Sequence, residues 1–184
     1  MKNGVSMRTL PVLVLCLCPL VAGARNQEPT SALHPSNGPV GIPQGPQDIA
    51  QICALLELPT PETQKTNTPR ISVTTRGGAV LYNPYALTNA AYWGGPWAPI
   101  GLLAREGGRL AAPQTNCLQG AGERLTDSQR ADFVAGFVLG RMGASLQDAL
   151  RAVEATAVPG DVSEQMRADR SQVVERGWQK SLMR

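Results

Sequence analysis

Residues 124–143 read RLTDSQRADFVAGFVLGRMG, and this stretch decides the fold class. Thr126 and Gln129 have the spacing of a capping box, in which each side chain bonds the backbone amide of the other. Beyond them, Phe133, Val134, Phe137, Val138 and Leu139 cover well over half of a helix circumference. A helix apolar most of the way round belongs at the centre of a domain. Gly136 and Gly140 lie four apart on the remaining side, where a second backbone can approach closely. A membrane dimer motif has the same glycine spacing. The apolar run 133–139, however, is far shorter than the ~20 residues a bilayer span requires.

C-terminal to this helix, Gly143 is its stop and Ser145 caps another that carries Leu146, Ala149, Leu150 and Val153. Pro159-Gly160 ends that helix, and Asp161 with Glu164 opens a last one running to about Leu182. Its apolar stripe of Val162, Met166, Val173, Val174, Trp178 and Leu182 drifts around the axis, and Gly177 weakens it. On the N-terminal side, Asn83-Pro84 supplies a cap followed by proline at the first helical position. The helix it starts runs through Tyr92 and meets Gly94, Gly95 and Pro96. RISVTT and AVLY around Arg76-Gly77-Gly78 predict a β-hairpin. Residues 98–122 are broken by glycine and proline and predict no more than a helical turn near 100–105. Asp48 is the expected cap of a first helix bearing Ile49, Ile52, Cys53, Leu55 and Leu56, which Pro59 and Pro61 terminate. The expected fold is mostly α: one small helical domain over 48–184, of four to six helices with one β-hairpin and no internal repeat.

The N-terminus predicts export. Lys2 and Arg8 precede an apolar run over 10–21, too short for a permanent span, and Ala22-Gly23-Ala24 has the small-x-small pattern of a cleavage site. Residues 1–24 are thus expected to be a signal peptide cleaved after Ala24, leaving a secreted or periplasmic chain. Leucine precedes both Cys16 and Cys18, a poor match to a lipid-anchoring signal. Residues 25–47 hold five prolines with three glycines among them and predict a disordered tether. After cleavage only Cys53 and Cys117 remain, and two cysteines in an exported chain predict one disulfide, Cys53–Cys117.

Loss of Lys2 and Arg8 with the leader lowers the formal charge from +3 to +1, which does not favour broad capture of nucleic acid or an anionic membrane. The single histidine, His34, falls in the tether, away from any fixed nucleophile, so serine or cysteine chemistry with an imidazole base is disfavoured. No histidine or cysteine spacing fits zinc. GAGERL at 120–125 lacks the third glycine of a dinucleotide loop, and no Walker pattern occurs. No metal or cofactor is expected. Carboxylate chemistry needs no histidine, which leaves Glu106, Glu123 and Asp127 as candidates for glycan cleavage. Arg105 and Arg124 beside the two glutamates, and Asp127 in a helix first turn, also fit ordinary solvated charges.

The remaining signal is aromatic. Tyr82, Tyr85, Tyr92, Trp93 and Trp97 are five of the six Tyr and Trp residues in the chain. Such rings pair a large apolar face with a polar tip and suit wet binding surfaces. In a domain with two phenylalanines they also serve as core. Most of the cluster is therefore expected inside, with Trp97 exposed after the double glycine, and Tyr92, Trp93 and Trp97 are the candidate binding residues. The expected function is an exported, non-catalytic binding or interaction protein of the cell envelope or exterior, with glycan, peptide or an envelope protein as partner. A carboxylate-based glycan-cleaving enzyme and an accessory subunit of an envelope assembly are the alternatives.

Overall fold

A computed structural model of the chain describes residues 44–68, 73–76, 78–111, 115–119, 125–156 and 163–183. The expected leader, nearly all of the expected tether, His34, Glu123 and Pro159 to Val162 lie outside these residues. The described part is mostly helical, with six α-helices and a three-stranded sheet among the described residues.

Thr126 and Gln129 form the reciprocal cap, and α4 (Asp127–Arg141) follows from it. Ala131, Phe133, Val134, Ala135, Val138 and Leu139 are all buried. The glycines do what their spacing promised. A methyl group built on Gly136 would fall 2.1 Å from the Val174 carbonyl oxygen of α6 (Glu164–Leu182), so the two backbones touch there. Gly177 meets the same contact from the other side, 2.0 Å from the Phe133 carbonyl oxygen, and Gly140 leaves room for Ser181 and the Trp178 ring. Gly177 is thus a required element of the α4–α6 crossing, where the sequence alone reads it as a weakness.

Around this pair the other elements take their places. Ser145 accepts from the Asp148 amide and caps α5 (Leu146–Glu154), which ends before Pro159. The cap of α6 is Ser163, whose side chain accepts from the Met166 amide, two residues past the expected Asp161. Trp178 donates its indole N–H to the Ala144 carbonyl at 2.9 Å, tying α6 to the α4–α5 turn. Val173 and Val174 are buried, whereas Met166 and Leu182 of the expected stripe are exposed.

The hairpin forms from β2 (Val73–Arg76) and β3 (Ala79–Tyr82), antiparallel with Thr75 opposite Val80. A third strand, β1 (Glu62–Lys65), pairs parallel to β3 and makes the order β1-β3-β2. ETQK carries no apolar alternation to announce it. The first helix, α1 (Gly45–Leu55), begins at Gln44 with Pro46 in its first turn, so residues 45–47 belong to it and not to the tether. Gly45 is pressed on the buried Tyr82 ring, where a methyl group would lie 2.5 Å from Cε2.

The larger departure is α3 (Ala98–Leu110), a helix of 13 residues where only a turn was expected. Its glycines are packing surfaces: Gly101 faces Ala152, Gly107 faces Ile52 and Leu56, and Gly108 sits 2.8 Å from the Ala131 Cα when given a methyl group. Tertiary contact outweighs the weak helix propensity of such a segment.

The disulfide staple is not present. Cys53 in α1 and Cys117 in the short 3-10 helix (Asn116–Leu118) are free, buried thiols within the one hydrophobic core. Counting cysteines takes no account of the backbone and Cβ geometry that a bridge demands, and a buried thiol packs well as a small hydrophobe. The two segments are linked instead by a hydrogen bond from the Asn116 amide to the Glu57 carboxylate.

Two measurements test this architecture. Gly136→Ala should destabilise the domain by about 3 kcal/mol, because a helix backbone rather than a movable side chain stands in the way; urea unfolding reads the loss. A thiol reagent on non-reduced native chain should react slowly, since burial raises the Cys117 thiol to about 11 and also raises Cys53, and denaturation should release two titratable thiols from 53 and 117.

Candidate functional site

The rings of the aromatic cluster lie on both sides of the domain surface, in an order the sequence reading inverted. Asn83 accepts from the Tyr85 amide at 3.0 Å, and Pro84 follows it, so α2 (Pro84–Gly94) starts at a defined point. Leu87, Ala90 and Gly94 are its buried side. Each helical residue turns the direction by about 100°, so Tyr85 and Tyr92 fall within about 20° of one line along the helix. Asn89 stands between them, Trp93 beside them, and all four are exposed. Tyr85 is 74% exposed, Tyr92 78% and Trp93 79%.

The core therefore contains Tyr82 but neither Tyr85, Tyr92 nor Trp93. Gly94 explains why α2 turns its small residues inward: a methyl group there would meet the Ala155 Cβ at 2.4 Å and the Ala98 Cβ at 2.7 Å. Trp97 departs the other way. It is the residue from which α3 begins, its carbonyl accepts the Gly101 amide, and its ring is half-buried against the core. Of the three candidates, Tyr92 and Trp93 come together, edge to face with ring centres 4.9 Å apart. Tyr85 joins them. Its i, i+7 relation to Tyr92 is the available signal, whereas the scarcity of phenylalanine points to a place in the core.

Helix α2 contributes no charged side chain to this face. From Arg76 to Arg105 the sequence has no Asp, Glu, Lys or Arg. Thr88, also exposed, donates to the Pro84 carbonyl at 3.0 Å. Among the described residues, no side-chain hydrogen bond engages the Asn89 amide.

The carboxylates raised by the sequence are elsewhere engaged. Glu106 is buried in α3, ion-paired with Arg109 and approached by the Thr75 hydroxyl of β2 at 3.5 Å. Burial pushes its carboxyl above the ordinary range, with Arg109 and Arg105 pulling the other way. Asp127 is in the first turn of α4, exposed and paired with Arg130.

The strongest polar cluster is one that the sequence reading did not single out. Asp132 is 2% exposed and holds two arginines, Arg105 of α3 at 2.7 Å and Arg170 of α6 at 3.0 Å. Both arginines also donate to the Thr156 hydroxyl at 3.0 Å, and Arg170 donates to the Val153 carbonyl at 3.3 Å. Desolvation lowers the Arg105 pKa, while Asp132 raises it. This network joins four helices. The cleft beside it, bounded by Glu154, Arg167, Arg170 and Ser171, has a volume of about 60 Å³, room for a few waters. Among the described residues, no three His, Cys, Asp or Glu side chains gather as a metal site.

Comparison with protein-family models, curated proteins and solved structures finds no match.

The raised Glu106 carboxyl carries a pH signature. A carboxyl whose folded pKa lies above its unfolded one contributes stability that is full below the unfolded value and lost as pH rises through the folded one. The stability difference between wild type and Glu106→Gln should therefore shift in favour of the variant between about pH 4 and pH 7, as measured by urea midpoints at both pH values.

Proposed function

We propose that the chain is an exported, non-catalytic binding protein of the cell envelope or exterior, and that the exposed face of α2 is its gripping surface. The observation that carries this reading is three rings, Tyr85, Tyr92 and Trp93, each about three-quarters exposed on one helix face. Large apolar side chains clustered on a surface mark interaction sites, whereas single exposed hydrophobes are ordinary. Export rests on the N-terminal leader pattern, with cleavage after Ala24. No helix among the described residues is long and apolar enough to cross a membrane. The burial of Glu106 beneath Arg109 and Thr75 supports binding over glycan cleavage.

The test is capture from envelope fractions by the exported chain. Wild type should retain a partner, glycan, peptide or protein, that Tyr92→Ala/Trp93→Ala releases, while Glu106→Gln retains it. Both variants should keep the wild-type far-UV spectrum, since the two rings project from the fold. Capture unaffected by loss of both rings refutes the assignment.

A further inference from the structure

The ligand class follows from the shape, area and charge of the same face, and the inference rests on the binding reading above. We propose that Tyr85, Asn89, Tyr92 and Trp93 form a stacking platform for an extended, uncharged β-1,4-linked glycan.

Area is the first ground. Three rings of about 150–250 Å² each, three-quarters exposed, offer roughly 350–600 Å². A stable protein–protein interface takes about 800 Å² from each partner, so neither a second copy of this chain nor a folded protein is matched by the rings alone. A short oligosaccharide is.

Charge is the second. With no Asp, Glu, Lys, Arg or His between Arg76 and Arg105, the platform has no charged side chain of its own to pair with an anionic polymer or an anionic lipid surface. It offers ring faces, phenol and indole tips, and the Asn89 amide. Those are the groups that meet a neutral sugar: the apolar C–H face of a pyranose lies on a ring, and its hydroxyls or acetamido groups reach amide and phenol.

Spacing is the third. Seven residues at about 1.5 Å each place Tyr85 and Tyr92 about 10 Å apart along the axis, on nearly one line. In an extended β-1,4-linked chain each sugar is flipped relative to the last, so the same face recurs at every second unit. That recurrence matches the Tyr85–Tyr92 interval. Trp93, at 89° to Tyr92, cannot lie flat on the same sugar and instead buttresses the Tyr92 ring from the side. An α-1,4-linked chain curls and lacks this straight repeat.

The probe is chitohexaose, a neutral β-1,4-linked hexasaccharide, with maltohexaose as the α-linked control. Titrating the exported chain with each, followed by intrinsic fluorescence and calorimetry, should give saturable binding of chitohexaose and none of maltohexaose. Tyr85→Ala and Tyr92→Ala should each weaken binding about tenfold, the equivalent of ~1.4 kcal/mol, while Tyr85→Phe keeps most of it. Unchanged thermal unfolding separates lost contact from lost fold. Absence of chitohexaose binding overturns the glycan assignment, as does equal binding of maltohexaose or undiminished binding by Tyr85→Ala/Tyr92→Ala. A concentration-dependent dimer abolished by Tyr92→Ala in sedimentation identifies a second copy as the occupant and overturns it too. Envelope capture that still depends on the rings without chitohexaose binding removes only the glycan; capture that ignores the rings removes the binding face itself.

Discussion

The fold depends on two helix backbones meeting without side chains between them. Gly136 of α4 lies against the Val174 carbonyl of α6, and Gly177 of α6 against the Phe133 carbonyl of α4. Each glycine costs its helix about 1 kcal/mol in propensity, an amount that close packing can offset because many weak dispersion contacts form at once. The opposite flank of α4 repeats the device, with Gly108 of α3 pressed on Ala131 and Val134. The central helix is therefore clasped on two sides at near-backbone distance. Its large residues, Phe133, Val134, Val138 and Leu139, fill the space left between these contacts.

Close backbone approach sets distance but leaves sliding and rotation open, and Asp132 restricts both. One carboxylate, 2% exposed, receives Arg105 from α3 and Arg170 from α6, and the two guanidinium groups share Thr156 at the end of α5. A buried ion triad is weak evidence for net stability, because desolvating its members is expensive. Its directional bonds nevertheless allow one register. The helices have to bring an arginine to each carboxylate oxygen, and a slip of one turn would strand a buried charge. Burial lowering the Arg105 pKa against the pull of Asp132 is the same desolvation seen from the proton's side.

Legibility in the sequence followed the range of the interactions. Local devices were readable: the Thr126–Gln129 box, the Ser145 cap, Asn83-Pro84, and the hairpin around residues 76–79 all act within a few residues. Gly136 and Gly140 were readable because their helix was already defined. Gly101, Gly107 and Gly108 were not, since α3 exists through its neighbours and a glycine that breaks an isolated helix admits a partner in a packed one. β1 escaped for a similar reason, as ETQK is a strand only because β3 offers an edge. Asp132 stood in plain view within an apolar run, but its arginines are 27 and 38 positions away. Cys53 and Cys117 show the converse failure, in which a pairing expected from their number alone is not found and both are free, buried thiols.

The candidate site shows the same dependence on neighbours. Apolar residues normally turn inward, and on that rule the rings of α2 belong in the core. The seat of α2 against α3 and α5 is too shallow for them: Gly94 is already in contact with Ala98 and Ala155, and Ala90 and Leu87 complete the buried side. Where α2 meets Ala98 and Ala155 only a small residue fits, Leu87 is the large side chain that the inner face admits, and the rings are left outside. An inverted size pattern of this kind leaves apolar area in water, where about 25 cal/mol per Å² favours covering it. The arrangement that lets α2 pack is thus the arrangement that presents Tyr85, Tyr92 and Trp93 to a ligand, so the docking of the helix and the display of its rings share one physical cause.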